Sequence, residues 1–187
     1  MREHGVLRRV LIVYGEAAPA LAHDAAVDAR ALNDAARLFR DFGENYHERV
    51  LEDQHIFPEL AKPGSRQARL VATLLQQHVR GREITRFVLS RTRGKAVTDP
   101  QPLSRALASM TRMYNAHTAW EDTLVFPAWK KTKTKAQLDE ASEEFENIEH
   151  KMFGRNGFDD ALERMTRIEA ALGRSDLARY TAAVPAG

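Results

Sequence analysis

Hydrophobic side chains recur every three or four residues along most of the chain, which is the period of an amphipathic helix. Ala, Leu, Arg and Glu, which favour helices, are abundant, and no window alternates β-branched with polar residues. The clearest run extends from Leu103 to Leu124 with four-three spacing, which is typical of a helix packed lengthwise in a bundle. The pattern therefore predicts an all-α protein.

Proline, glycine and polar clusters divide this pattern into six predicted helices. The breaks are Pro19, Pro58, Pro63-Gly64-Ser65, Asp99-Pro100, the lysine-rich segment 130–135 and Gly154. The second helix should extend from about Asp24 to Phe57, and the short sixth helix from about Asp159 to Leu172. The lysine-rich segment is predicted to be a solvated loop.

Composition narrows the classes of protein to which the chain can belong. It has 187 residues, close to the size of one domain, and 43% apolar and 29% charged residues, as in a globular protein. Its 28 basic and 26 acidic residues leave a net charge of only +2, too small to indicate a nucleic-acid surface. The longest early apolar run, Val10 to Val13, is too short for a signal peptide or a membrane span. We expect a soluble, cytoplasmic protein that binds neither nucleic acid nor membrane.

Histidine is the residue type that the helical pattern leaves unexplained. The chain has no cysteine, so any bound metal must be held by imidazole and carboxylate groups. A lone inward histidine is usually a satisfied core residue, but here four predicted helices each place one on or beside the inner face. These histidines are His4, His47, His78 and His117. Four-helix bundles build metal sites from such inward side chains, so the pattern indicates metal binding.

The strongest candidate pair is His117 with Glu121, because both lie in the hydrophobic stripe of the fourth helix. Residues four apart on a helix share one face, so both side chains can reach the same metal or adjacent metals. A buried glutamate needs such a partner, since removing its charge from water costs several kcal/mol. Imidazole together with carboxylate suits non-haem iron.

A second stretch, NYHERVLEDQHIFP, resembles the stretch YNAHTAWEDTLVFP that contains this pair. When the two are aligned on Phe-Pro, Glu52 matches Glu121, but His47 lies five residues before Glu52 rather than four. A π-turn would return His47 and Glu52 to one side of the helix. A regular helix would instead place Glu48 with Glu52 and make Glu48 the ligand. The sequence leaves both alternatives open.

Together these elements resemble the hemerythrin-like family, also called HHE cation-binding domains, whose pattern is H, HxxxE, H and HxxxE on four successive helices. The matching elements are His4 in MREHGVLRRVL, His47 with Glu52 in YHERVLEDQHIFP, His78 in LLQQHVRGR, and His117 with Glu121 in HTAWEDTLVFP. The segment FENIEHKMFGRNGF is similar to the C-terminal extension of a bacterial cytoplasmic branch. The resemblance covers about Met1 to Leu177.

The resemblance implies an antiparallel up-down four-helix bundle with two additional C-terminal helices. It implies one hemerythrin-like domain over residues 1–187, with the bundle in about 1–130 and the extension in about 136–187. It also implies two non-haem iron ions with a bridging oxo or hydroxo group, joined by the two glutamates and held at their ends by histidines. Members bind or react with dioxygen, peroxide or nitric oxide, or sense iron. A redox partner and a catalase-like activity are left open.

Two departures from the oxygen carriers of the family matter. Those carriers have five histidines and a bridging aspartate, whereas this chain supplies four histidines and two glutamates. The smaller number of histidines leaves an additional coordination position open on the iron. This favours a reaction with the bound molecule over reversible transport of oxygen. His150 is a candidate for a fifth imidazole, and Tyr46 and Tyr114 are candidate hydrogen-bond donors to the ligands. His23 and His55 are expected at the surface.

Two other classes of protein compete with this interpretation. A ferritin-like diiron oxidase needs a Glu-x-x-His motif on each of two helices. Glu44 and His47 form one such motif, but Tyr114 holds the matching place before His117. The other class is a metal-free helical interaction module whose inward histidines are only hydrogen-bonded.

Overall fold

A computed structural model of the protein describes residues 2–154 and 156–185, and this part of the chain is helical and contains no strand. The predicted all-α class is therefore confirmed. None of the described helices has the length and mean hydropathy that a membrane span requires. The elements are α1 (Arg2–Ala22), α2 (Ala29–Leu38), the π-helix π1 (Phe39–Ile56), α3 (Phe57–Leu60), α4 (Ala68–Arg91), α5 (Pro100–Trp120), the π-helix π2 (Glu121–Val125), α6 (Phe126–Lys131), α7 (Lys135–Phe153), α8 (Gly157–Ala171) and a 3₁₀ turn (Leu177–Tyr180).

Four long helices pack together, and we call them bundle helices 1 to 4: α1, then α2–π1–α3, then α4, then α5–π2–α6. Bundle helices 1 and 4 run antiparallel. The Oγ of Ser104, near the start of α5, donates a hydrogen bond to the carbonyl oxygen of Ala18, near the end of α1 (2.6 Å). Towards the other ends, the guanidinium of Arg8 donates to the hydroxyl of Thr118 (3.2 Å).

Bundle helices 2 and 3 are also antiparallel neighbours. Asn33 of α2 donates to the hydroxyl of Thr92, just after α4, at 2.8 Å. At the opposite end, Asp53 of π1 is 2.8 Å from the Nδ1 of His78. Each large side chain between the helices contributes about 1.5–3 kcal/mol by leaving water. Fully buried side chains in this core include Tyr14, Leu32, Phe39, Phe42, Tyr46, Leu103, Leu107, Met110 and Tyr114.

Several predicted boundaries differ from the structure. The second predicted helix continues through Pro58 to Leu60, because Pro58 lies in the first turn of α3, where its missing N–H needs no partner. Lys130, Lys131 and Lys135 of the predicted lysine-rich loop lie in α6 and α7, which leaves 132–134 as the loop.

Helix α1 continues past Pro19 to Ala22. Pro19 is exposed and lies in the last turn, so the carbonyl group that it leaves unpaired can bind water. The second helix begins at Ala29 rather than near Asp24, because the Asp28 side chain accepts hydrogen bonds from the backbone N–H groups of Arg30 and Ala31 and caps it there.

Leu124, which ends the four-three run predicted for the fourth helix, has 45% of its surface exposed. Leu124 lies in π2, where hydrogen bonds span five residues, as from the Phe126 N–H to the Glu121 carbonyl. The wider turn changes which residues face inward after Glu121, so regular four-three spacing no longer predicts burial there.

Helices α7 and α8 pack against the bundle. Helix α7 ends at Gly154, which adopts a left-handed φ of 70°, as predicted from the glycine. The buried carboxylate of Glu149 accepts hydrogen bonds from the Tyr46 hydroxyl of π1 (3.1 Å) and from the backbone N–H of Phe158 in α8 (2.8 Å). One carboxylate thus joins both C-terminal helices to bundle helix 2.

Gly81 is a position where only glycine fits. A Cβ built on Gly81 would lie 2.0 Å from the Tyr114 hydroxyl oxygen. We expect Gly81→Ala to lower the free energy of unfolding by about 1–3 kcal/mol, because Tyr114 must move in a closely packed core. Urea denaturation of the metal-free protein measures this loss.

Gly15 supplies the matched control for Gly81. It is exposed in the middle of α1, and a Cβ there would meet only Thr111 Cγ2 at an ordinary 3.7 Å. Gly15→Ala should raise the free energy of unfolding by about 0.5–1 kcal/mol through helix propensity. Equal changes in the two variants would contradict the close approach of Tyr114 to Gly81.

Candidate metal centre

The π-helix π1 decides the register question for the first half of the site. Its five-residue hydrogen bonds include one from the Phe57 N–H to the Glu52 carbonyl. Residues five apart consequently face the same way, and His47 Nε2 lies 3.1 Å from Glu52 Oε1. Of the two alternatives, the structure contains the π-turn, which brings His47 to Glu52. The described segment 39–56 does not form the regular helix that would have placed Glu48 beside Glu52.

Four histidines form two pairs inside the bundle. The Nε2 atoms of His4 and His47 are 2.9 Å apart, and those of His78 and His117 are 3.2 Å apart. None of the four rings is more than 3% exposed. Each pair joins neighbouring bundle helices, so the bundle itself holds the rings together.

Two glutamates connect the histidine pairs. Glu52 has one oxygen 3.1 Å from His47 and the other 3.3 Å from His78. Glu121 has one oxygen 2.9 Å from His117 Nε2 and the other 3.5 Å from His4 Nε2. Each carboxylate thus reaches a histidine of both pairs.

The oxygens of these glutamates fit a bound cation. Glu52 and Glu121 are completely buried, and none of their four carboxylate oxygens has a hydrogen-bond partner among the described residues. Such burial costs several kcal/mol for each uncompensated charge. Donor separations of 2.9 to 3.5 Å suit a first-row transition metal, because donors at right angles on bonds of about 2.1 Å lie about 3 Å apart. Imidazole and carboxylate are also ligands that such metals accept.

Two groups of donors meet the distance requirement for holding a metal ion. Atoms of Glu52, His78, His117 and Glu121 all lie within 4.8 Å of one another. Atoms of His4, His47 and Glu52 form the other group. The structure therefore assembles all six residues that the sequence singled out first.

Outer hydrogen bonds orient three of the four rings. The Nδ1 atom of His78 lies 2.8 Å from Asp53, and that of His4 lies 3.0 Å from Asp122. The Nδ1 atom of His117 lies 2.8 Å from Gln77 Oε1. An Nδ1–H that donates outwards leaves the Nε2 lone pair directed at the glutamates. None of these partners was among the predicted site residues, although the Glu-Asp dipeptide common to both half-sites is a sequence signal for Asp53 and Asp122.

The Phe-Pro dipeptides add an aromatic ring to each half-site. Phe57 stacks on His78 with ring centroids 5.5 Å apart, and Phe126 lies 5.5 Å from the His4 ring. These are the imidazoles to which the preceding aspartates bond. Each half-site thus contains a Glu-Asp…Phe-Pro unit. In each unit the glutamate faces both histidine pairs, the aspartate orients one imidazole, and the phenylalanine packs on that same imidazole.

Comparison with known proteins agrees with this geometry. The model of the hemerythrin HHE cation binding domain family matches residues 1–129. The chain belongs to this family. It is also 40% identical over 185 residues to the uncharacterized protein Rv1995 of Mycobacterium tuberculosis H37Rv and to the uncharacterized protein Mb2018 of Mycobacterium bovis. These alignments cover 97% of this chain and 71% of each relative. No solved structure matches.

In this hemerythrin-like protein, the less certain ligand candidates lie outside both donor groups. The buried Glu48 carboxylate accepts a hydrogen bond from the Tyr114 hydroxyl (2.6 Å). His150 is exposed on α7. Glu44, the acidic residue of the ferritin-like motif, lies 3.7 Å from the Arg40 guanidinium.

The two tyrosines and the two remaining histidines have different surroundings. Tyr114 packs beside His117 with ring centroids 5.1 Å apart, whereas the Tyr46 hydroxyl bonds to Glu149. His23 is exposed, as predicted. His55 is partly buried, and its ring contacts Phe145.

One surface cleft reaches a donor histidine. It has a volume of about 240 Å³ and lies between α4 and α5. Its lining residues are Leu70, Thr73, Leu74, Gln77, Ala116, His117 and Trp120. The hydrogen bond between Gln77 and His117 therefore lies at the boundary between the surface and the metal centre.

Ionisation is divided unevenly among the metal-free donors. Burial lowers the pKa of His4 to about 4 and that of His117 to about 3. Burial alone would also lower the pKa of His47 and His78, but nearby carboxylates, including Glu52, raise both. Burial and the charge of Glu52 raise the pKa of Glu121 well above its usual range. The surroundings of the metal-free donors therefore favour the protonated forms of His47, His78 and Glu121.

Metal binding should release these protons, because a metal requires neutral imidazole and ionised carboxylate. We expect a measurable release of protons on binding and an affinity that rises with pH. Calorimetric titration with Zn²⁺ in buffers of different ionisation enthalpy measures this release. Identical heats in all buffers would show that the donors carry no displaceable protons.

Proposed function

We propose that the protein binds two non-haem iron ions and that the loaded centre binds or reacts with dioxygen, peroxide or nitric oxide. The observation that carries this proposal is the reach of Glu52 and Glu121, since each places one oxygen beside each histidine pair. A single ion would need only one of these pairs. Membership of the HHE cation-binding family supports the same assignment.

The donor count supports a reactive centre. Each histidine pair faces one oxygen from each glutamate, so each metal position has four protein donors. Iron commonly accepts six ligands, which leaves room for an exogenous molecule. When bound, ferrous iron supplies electrons to such a molecule. This arrangement favours redox chemistry over simple storage of the metal.

The surrounding side chains limit the substrate to small molecules. Phe57, Phe126 and Tyr114 pack against the donor imidazoles and exclude bulk water. The Tyr114 hydroxyl donates a hydrogen bond to Glu48, and both residues are buried. Diatomic molecules and peroxide fit such a closed site, whereas larger organic substrates do not.

The setting of this activity is also proposed. We infer that the protein works in the cytoplasm, with small molecules rather than nucleic acid or membranes as its partners. A net charge of +2 supports this choice. An electron donor would be required for repeated turnover with dioxygen.

Iron content tests the proposed ligand set. Anaerobic reconstitution should load about two irons per chain, following the bundle precedent for dinuclear sites. Glu52→Gln should lose most of this iron, because Glu52 faces both histidine pairs. The control is Glu48→Gln, one helical turn away, which keeps an acceptor for Tyr114 and should retain the iron. Full loading of Glu52→Gln, or no iron in the unaltered protein, would refute the proposal.

Absorption spectroscopy tests the reactivity. The reduced iron form would be mixed separately with dioxygen, peroxide and nitric oxide. We expect rapid consumption of peroxide, because the donor count leaves coordination positions open. A stable and reversible spectrum with dioxygen would instead indicate carriage or sensing. Unchanged spectra with all three would remove the proposed reactivity while leaving the metal site intact.

A further inference from the structure

The two metal positions are unequal in the number of donors already assembled. At the His78–His117 position, four residues bring one donor atom each within 4.8 Å of all the others. At the His4–His47 position, the corresponding group has three residues, His4, His47 and Glu52. Glu121 lies 3.5 Å from His4 but is not part of that group. A metal that binds where the donors are already in place needs less rearrangement of the protein.

The hydrogen bonds to the Nδ1 atoms of the histidines also favour the His78–His117 position. At the His78–His117 position both Nδ1 atoms have partners at 2.8 Å, Asp53 and Gln77. At the other position His4 is paired with Asp122 at 3.0 Å, whereas the buried Nδ1 of His47 has no hydrogen-bond partner among the described residues. Outer bonds of this kind fix the ring and raise its basicity as a ligand.

The two aspartates also differ in how much of their charge faces the histidine. Asp122 forms a hydrogen bond at 2.6 Å with the guanidinium of Arg8, which competes with His4 for the carboxylate. Asp53 lies 3.8 Å from the guanidinium of Arg82. Asp53 is therefore the stronger acceptor for its imidazole, although the two aspartates occupy equivalent places in the repeated unit.

We propose that the His78–His117 position binds metal first and more tightly, and that the His4–His47 position fills second. This inference rests on the proposed two-metal site. Loss of an outer partner typically costs 10–100-fold in metal affinity, so we expect the two steps to differ by about tenfold or more. When metal is scarce the protein holds one ion, and chemistry that needs two ions then depends on the metal supply.

Titration of the metal-free protein with Co²⁺ tests the order, because Co²⁺ absorbs visibly and is not oxidised under anaerobic conditions. The unaltered protein should bind two equivalents in two resolved steps. Asp53→Asn should weaken the tight step by about 10–100-fold and bring the two affinities together. Asp122→Asn should leave the tight step unchanged and weaken only the second. Two equal steps, or loss of the tight step in Asp122→Asn, would overturn the inference.

Two further measurements keep this test independent of folding and of the proposed function. Circular dichroism and the Tm of the metal-free protein identify a variant that has lost its structure. If a variant has done so, the order of binding is decided by locating the first metal in the unaltered protein. Crystals grown with one equivalent of Co²⁺ should show anomalous scattering beside His78 and His117. A signal beside His4 and His47, or equal signals at both, would overturn the order alone. No signal near any of the four histidines would overturn the two-metal site as well.

Discussion

The structure depends on the burial of two glutamate carboxylates in the centre of a helical bundle. Glu52 and Glu121 are inaccessible to solvent, and among the described residues their oxygens have no hydrogen-bond donors. Their charge must be balanced by imidazolium groups in the metal-free state or by cations in the loaded state. The four histidines around them, and the raised pKa of Glu121, follow from that requirement.

The bundle meets this requirement with one local unit used twice. In each unit a glutamate faces both histidine pairs, the next residue is an aspartate that bonds to an imidazole of a neighbouring bundle helix, and a phenylalanine covers that imidazole. The partners are His78 for the first unit and His4 for the second. The duplication is imperfect, because Arg8 shares Asp122 whereas Arg82 lies farther from Asp53. Equal sequence spacing thus produces two unequal environments.

Helical hydrogen bonding explains where simple periodicity fails. Four-residue spacing correctly placed His117 with Glu121, but His47 and Glu52 meet only because π1 bonds across five residues. The same change of bonding in π2 turns Leu124 outward. Pairwise spacing within one helix cannot distinguish these cases, because the preference for a π-turn comes from the contacts that the turn allows with other helices.

The sequence by itself determined the helical class, the family and the six residues that meet at the centre, because hydrophobic period and inward histidines depend on local chemistry. It left the register of His47 and Glu48 open, and it did not identify Asp53, Asp122 and Gln77. The hydrogen bonds that these three residues form with histidines join positions 25 to 118 apart in the sequence, so they depend on how the helices pack. Tertiary structure also decided that Glu48 serves Tyr114, since Gly81 leaves the space that the hydroxyl occupies.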